Sequence, residues 1–487
     1  MTWPYPLRSV DDAFSVPADT LGMDPEEMRR LGHKVVDMVV DRAMRRNAEP
    51  AILTGEPKEL MTKLGGALPE KPMDPDQSIE LLAEWALSHQ QHGDHTRYFA
   101  RVPGPAAFAA ILGEWLGTGF NTIATSWGGG SGPSTIETVV LQWIAEMLGL
   151  PARTEGVLLS GSSIANLIGI AAARAELGPG LAYYNDQTHA SVVRDLHVLG
   201  FAENQLRCLP SDPYFRTPMG ALTSAIEEDR DNGLKPMLVI ANAGTTNTGA
   251  RDPLNEIADL CADQGLWMHV DGAYGAPAAV TSEGRDYLCG LERADSIVFD
   301  AHKWFFQPYD VAGCLVTRPG ALERCFAMHP EYLRDVQEGH GEVNFGDRSL
   351  ELTRRARGLK LWMSLRTYGA QGFREAVQQG IENAKLAEGY LTKKPDTWEI
   401  VSPAQIGIVC FALKDADPQE HAARAEAVSK TGYACVTSTT LQGRSVLRLC
   451  TINPLTTADE IKTTIDLLAS VACATPLGHV DQGNDEV

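Results

Sequence analysis

Lys303 stands in FDAHKWFF, where an apolar run ends between His302 and Trp304. Desolvated amines are the ones that form imines with aldehydes. Taken alone, a lysine at a strand end reads far more readily as a side chain snorkelling to water. Asp271 closes a second apolar run, LWMHVDGAYGA. A carboxylate there either caps the following turn or pairs with a protonated heterocyclic nitrogen, helping that ring accept electrons. A third stretch, LLSGSSIANLIGIAAAR, runs through Gly161, Ser162 and Ser163 into a helix of small and apolar residues. Free amides at a helix start, with two hydroxyls beside them, cradle a phosphate. Serine-rich caps also arise for purely structural reasons, and the stretch matches neither G-x-G-x-x-G nor a P-loop.

The elements that must position these residues show in the rhythm of the chain. The runs GVLLSGSS, LAYYNDQTH, MLVIANAG, LWMHVDGAY, SIVFDAHKW and GCLVTRP are continuously apolar and end in polar or small residues. Strands buried on both faces have that pattern. Helical stretches such as 164–176 and 253–264 lie between some of them. The prediction is an α/β fold with a mostly parallel central sheet flanked by helices, which places ligands at the carboxyl ends of its strands. The 32 residues from Asp271 to Lys303 match one strand-helix-strand unit of roughly 30 residues, so both tips face one ligand. Residues 1–100 are predicted as a helical N-terminal arm, with Asp24-Pro25-Glu26-Glu27 as a helix start. Residues 101–370 form the large domain and 371–487 a smaller α+β C-terminal domain.

Bulk properties exclude several classes. A net charge of -21 over 487 residues argues against a nucleic-acid partner. The 9 cysteines form no C-x-x-C pair and read as buried small hydrophobes in a reducing, cytoplasmic compartment. The opening MTWPYPLRSVDDAF lacks the layout of a secretory signal, and no apolar run approaches a membrane span. His89, His92 and His95 recur every third residue, but no regular helix or strand aims all three at one ion, so no metal is assigned.

In combination, the cradle, the acid and the lysine follow the order seen in fold-type I pyridoxal-phosphate enzymes. Further blocks sharpen the match: TSWGGGSGPSTIETVVLQWIAEMLGLP, NDQTHASV, GTTNTGARDPL, HVDGAYG, the D-x-H-K-W run and GLKLWMSLRTYG. From about Glu26 to the end of the C-terminal domain, the chain resembles the group II amino-acid decarboxylases, the family of aromatic-L-amino-acid, histidine and glutamate decarboxylases. The resemblance implies pyridoxal 5'-phosphate as cofactor, loss of carbon dioxide from an L-amino acid, and a homodimer with shared active sites that the N-terminal arm wraps. It implies Lys303 as the covalent anchor and Asp271 on the ring nitrogen. His189 would stack on the ring, and Thr246 and Ala273 would touch it. Ser162 and Ser163 would bind phosphate, with His302 close by. Tyr332 matches the loop tyrosine that returns a proton to Cα; Phe there tends to divert the reaction toward oxygen and an aldehyde. The polar loop that follows Tyr332 suits a lid.

Substrate recognition departs from the aromatic branch, which reads AYFP where this chain has Ala100-Arg101-Val102-Pro103. Thr125 replaces a Phe two residues before Trp127, and Asp300 replaces an Asn. The pocket therefore looks more polar, and Arg101 either meets an acidic or carboxamide side chain or points to solvent. Arg448 resembles a substrate-carboxylate arginine, with a salt bridge inside the small domain as the alternative. Trp127 and Trp304 are pocket wall or core. An aromatic substrate is the family default; an acidic or aliphatic one, an aldehyde-forming reaction or another lyase chemistry on the same fold stays open.

Overall fold

Apolar runs that end in a polar residue become the strands of a seven-stranded sheet. The structure, a computed structural model, describes residues 21–102, 104–328 and 341–471. The strands are β1 (Glu155–Leu159), β2 (Leu181–Asn185), β3 (Leu206–Leu209), β4 (Pro236–Asn242), β5 (Trp267–Asp271), β6 (Ser296–Asp300) and β7 (Ala312–Val316). Their order is β1-β7-β6-β5-β4-β2-β3. Neighbours are parallel except β7, which runs antiparallel to both β1 and β6. All but β3 are buried along nearly their whole length, which explains their unbroken apolar character. The edge strand β3 is half-exposed and shorter.

The helix Ser162–Leu177 packs against this sheet, and glycine decides how closely. A Cβ at Gly169 would lie 2.7 Å from His269 Cε1, so its absence lets the helix touch β5. Gly178, at φ +73°, then stops the helix in a conformation that costs other residues strain.

A second sheet contains β8 (Trp398–Gln405), β9 (Ile408–Leu413), β10 (Thr437–Leu441) and β11 (Arg444–Cys450) in the order β10-β11-β9-β8, all antiparallel. Helices Pro418–Lys430 and Ala458–Ser470 accompany it, the latter started by a reciprocal cap between Thr457 and Glu460. Phe411, Leu447, Leu449, Ile461 and Ile465 fill its core. A long helix, Gly358–Thr392, bends at Gly369, where φ is +66°. Trp304 bridges these parts. Its ring stacks on Tyr274 at 5.4 Å, and Cβ atoms added at Gly380 and Gly407 would meet its indole at 3.1 and 3.2 Å. The indole therefore fits a slot made by the long helix and the β8–β9 turn.

A fully buried ion pair, Arg354 with Glu137 at 2.7 Å, braces β1. Breaking such a pair is costly because the remaining charge is stranded. Most of the spare groups are satisfied as well: Arg354 donates from its two terminal nitrogens to Ala124 O and Leu158 O, and Glu137 Oε1 accepts from Leu158 N, while Arg354 Nε has no hydrogen-bond partner.

The chain divides into two compact units, residues up to Glu49 with Leu53–Gln90, and Pro50–Ile52 with everything from Gln91 onward. The first unit begins with the helix Pro25–Arg45, capped by Asp24, whose carboxylate accepts from the amides of Glu26 and Glu27. Among the described residues no helix is long and apolar enough to cross a membrane.

Candidate active site

The tips of β1, β4, β5 and β6 meet around a cavity of about 230 Å³. Its walls include Ser162, Ser163, His189 and Thr246. Asp271, Ala273, His302 and Lys303 complete the same enclosure. Eight side chains drawn from distant parts of the sequence thus share one space, as parallel strands ending side by side require.

Lys303 sits in the short helix Ala301–Trp304 directly after β6, with its side chain 21% exposed. Its Nζ lies 2.7 Å from Asp300 Oδ2. Gly104 packs directly on the Lys303 backbone, where a Cβ would overlap the Lys303 carbonyl oxygen. His302 is buried, which holds its imidazole below the usual range, and Tyr309 tilts against its ring at 4.7 Å. Lys360 donates to Pro308 O and Asp310 O and so holds the loop that carries Tyr309.

Asp271 is buried at the end of β5. Its Oδ1 accepts from Ala273 N at 3.0 Å and its Oδ2 from Asn166 Nδ2 at 3.3 Å. Nearby Asp195, in the helix Ala190–Val198, is buried too, and burial followed by the charge of Asp271 raises its carboxyl to about 7.

The helix Ser162–Leu177 begins at the wall of the same cavity. Ser162 N donates to Asp300 Oδ1 at 2.8 Å, whereas the buried Ser162 hydroxyl has no partner. A Cβ at Gly161 would meet nothing within 4 Å. An unpaired hydroxyl, a helix start and open space beside it suit a phosphate. An amine and an acid in the same enclosure suit an aldehyde on a nitrogen heterocycle, so the residues present fit pyridoxal phosphate.

The sequence reading missed what holds these groups. Asp252 is fully buried and accepts from Thr217 N and Asn242 N, each at 2.6 Å, and from Asn185 Nδ2 at 3.0 Å. It thereby ties together the ends of β2 and β4, from which the His189 and Thr246 turns depart. His189 caps the helix Ala190–Val198, with Nδ1 2.8 Å from Ser191 Oγ. Asn166 was overlooked although it lies one turn after Ser162, the signal that places both on one helix face.

Four residues expected at the substrate are not among those lining the cavity. Thr125 donates its hydroxyl to Leu352 O, and Trp127 N donates to Asn344 Oδ1 at 2.8 Å. Arg448 is buried and clamps three carbonyls: its Nε donates to Thr246 O and Asn247 O, and its Nη1 to Arg101 O. Arg101 itself is exposed, at φ +46°. Trp304 is core rather than pocket wall. Tyr332 and the loop after it up to residue 340 lie outside the described residues. His89 Nδ1 lies 2.9 Å from Ser88 Oγ, and His95 Nδ1 accepts from Arg97 N. No cluster of three metal-binding side chains occurs among the described residues.

Comparison with known proteins agrees with this geometry. Residues 57–414 match the pyridoxal-dependent decarboxylase conserved domain. An aromatic-L-amino-acid decarboxylase of Bacillus atrophaeus is 40% identical over 457 residues, covering 91% of this chain and 95% of its own. A phenylacetaldehyde synthase of Arabidopsis thaliana is 30% identical, covering 90% and 94%. The crystal structure of Oryza sativa TDC with PLP and tryptamine superposes with a TM-score of 0.87 at 28% identity, covering 92% of this chain and 97% of that one. The chain belongs to the pyridoxal-dependent decarboxylase family and is a pyridoxal-phosphate enzyme that removes the carboxylate from an amino acid.

Proposed function

We propose that the enzyme converts an aromatic L-amino acid to its amine and carbon dioxide. The observation that carries this reading is the enclosure shared by Lys303, Asp271 and the start of the helix Ser162–Leu177. The Bacillus atrophaeus relative, 40% identical, is named for aromatic substrates. The cofactor, when bound, supplies an electron-poor ring that takes up the electron pair left by departing carbon dioxide.

The protein's own groups do the rest. Lys303 would hold the cofactor through its amine. Asp271 would keep a proton on the ring nitrogen, and the unpaired Ser162 hydroxyl together with Ser163, with His302 beside them, would hold the phosphate. His189, Thr246 and Ala273, which line the same cavity, would hold the ring between them. Tyr332 returns a proton to the substrate Cα, a step that favours the amine over an aldehyde. Thr125 spends its hydroxyl on Leu352 O, so it has no spare donor with which to favour a polar substrate.

A second reading, an acidic substrate, rests on the exposed cation of Arg101. Carbon dioxide release measured across the proteinogenic amino acids separates the two. Turnover confined to acidic substrates sinks the aromatic reading, and Arg101→Ala would then abolish that preference. Hydrogen peroxide and aldehyde as main products under oxygen would instead place the enzyme with aldehyde synthases.

The assembly we propose is a homodimer. Leu116, Phe120, Leu350 and Leu352 are all more than half exposed and supply apolar surface for a second copy; sedimentation at micromolar concentration tests it. The eight cysteines among the described residues are all free thiols, which suits a cytoplasmic setting.

A further inference from the structure

Behind Asp271 runs a chain of hydrogen bonds whose direction is forced at every link. Trp267, His269 and Asp271 alternate along β5 and share one face of the sheet. Ser296 sits opposite His269 on β6. Asn166 reaches this face from the helix Ser162–Leu177, at the place where Gly169 lets helix and strand touch. As a carboxylate, Asp271 only accepts, so the amide nitrogen of Asn166 must face it. That turns Asn166 Oδ1 toward His269 Nε2 at 2.9 Å, which must therefore carry a proton. His269 is fully buried, and burial lowers it to about 3, so the ring holds one proton and Nδ1 is bare. Nδ1 accepts from the Ser296 hydroxyl at 2.7 Å. Ser296 Oγ in turn accepts at 2.8 Å from the Trp267 indole, which can only donate.

We propose that Trp267, Ser296, His269 and Asn166 form a polarised relay that positions Asp271 for the cofactor's ring nitrogen, with Asn166 and His269 as its positioning residues. The proposal rests on assigning Asp271 to that nitrogen. A turned Asn166 would set oxygen against oxygen, losing a donor and adding repulsion, and the proton on His269 Nε2 forbids the turn. With Ala273 N on one oxygen and Asn166 on the other, the carboxylate plane is fixed and each oxygen keeps a lone pair for the cavity. Neither Asn166 nor His269 needs to touch a reacting atom.

The test compares pyridoxal phosphate with a carbocyclic analogue that has CH in place of the ring nitrogen, both titrated by absorbance against the full-length apoenzyme. The unaltered enzyme should prefer the natural cofactor, and Asp271→Ala should erase that preference. A preference that survives Asp271→Ala removes the assignment of Asp271 itself, an outcome separate from those that judge the relay. Asn166→Ala and His269→Leu should each cut the preference about tenfold, the scale of one hydrogen bond to a charged group, and leave the analogue's dissociation constant unchanged. His269→Gln, which keeps a donor for Asn166 and an acceptor for Ser296, should restore most of it. Equal weakening of both compounds indicates mere structural support and overturns the relay, as does a preference left intact. Nitrogen-15 chemical shifts of His269 in the unaltered protein should show a neutral ring protonated at Nε2. A proton at Nδ1 overturns the relay however the variants fold.

Discussion

Lys303 Nζ and Asp300 Oδ2 lie 2.7 Å apart, joining the amine to a carboxylate whose other oxygen takes the amide of Ser162. Burial pushes the Asp300 carboxyl up, but Lys303 and His302 outweigh burial and hold it below the usual carboxylate range. A fixed negative charge therefore stands beside the amide expected to receive a phosphate, and like charges repel strongly in a buried setting. Asp300→Asn should bind pyridoxal phosphate about tenfold more tightly, equivalent to about 1.4 kcal/mol. Pyridoxal, which lacks the phosphate, should shift far less. Titration of both compounds into apoenzyme decides the matter, and equal shifts would mean that Asp300 acts only through the lysine.

Replacing the anchoring amine should be the most damaging single change. Lys303→Ala should lower turnover by at least ~10³-fold, because an activated nucleophile has no neighbour to stand in for it. Borohydride treatment followed by mass spectrometry should find cofactor fixed to the unaltered enzyme and none on the variant. Cofactor fixed at another lysine would redirect the assignment.

Asp195 predicts a pH-dependent stability. Its carboxyl is raised to about 7 in the folded chain, by burial and then by Asp271. Between the ordinary carboxylate range and that value the folded state binds more protons than the unfolded chain, so stability falls as pH rises through the window. Asp195→Asn cannot ionise. Its unfolding free energy relative to the unaltered apoenzyme should therefore be more favourable at pH 8 than at pH 5, by on the order of 2 kcal/mol, read from denaturant unfolding at each pH. An advantage that is equal at both pH values would show that Asp195 carries no such shift.

Arg448 offers a split between two roles. It clamps the carbonyls of Thr246, Asn247 and Arg101, and lysine cannot reproduce that fork. Arg448→Lys should weaken cofactor binding about tenfold through the loosened Thr246 turn. A raised KM with unchanged cofactor affinity would instead return Arg448 to the substrate carboxylate.

The large sheet was legible because its strands are buried on both faces, and such strands spell themselves out as unbroken apolar runs. Strand β3 escaped notice because LRCL, at a half-exposed edge, mixes apolar and polar residues in only four positions. The reversed direction of β7 was equally hidden, since an apolar run reads the same either way along the sheet. The polar tips Asp271 and Lys303 and the Ser162 turn announced themselves by ending those runs. Asn166 did not: a single amide in a helix of small and apolar residues gives no sign of its partners, and its meaning depends on His269 and Asp271, 103 and 105 residues away. Thr125 misled for a related reason. Its type suggested a polar pocket, but only the fold shows that a carbonyl of Leu352 consumes the hydroxyl.

The slot that receives the Trp304 indole has a bearing on how such enzymes can be recombined. Its walls, Gly380 and Gly407, belong to the long helix and the β8–β9 turn, while the indole adjoins the reactive lysine. Any side chain at either glycine would press on that ring, and emptying the slot by Trp304→Ala would leave a void of the kind that costs ~3–5 kcal/mol. A chimera that exchanges C-terminal halves between relatives must therefore carry both glycines across with their tryptophan, or the amine will be misaimed by residues that never approach the substrate.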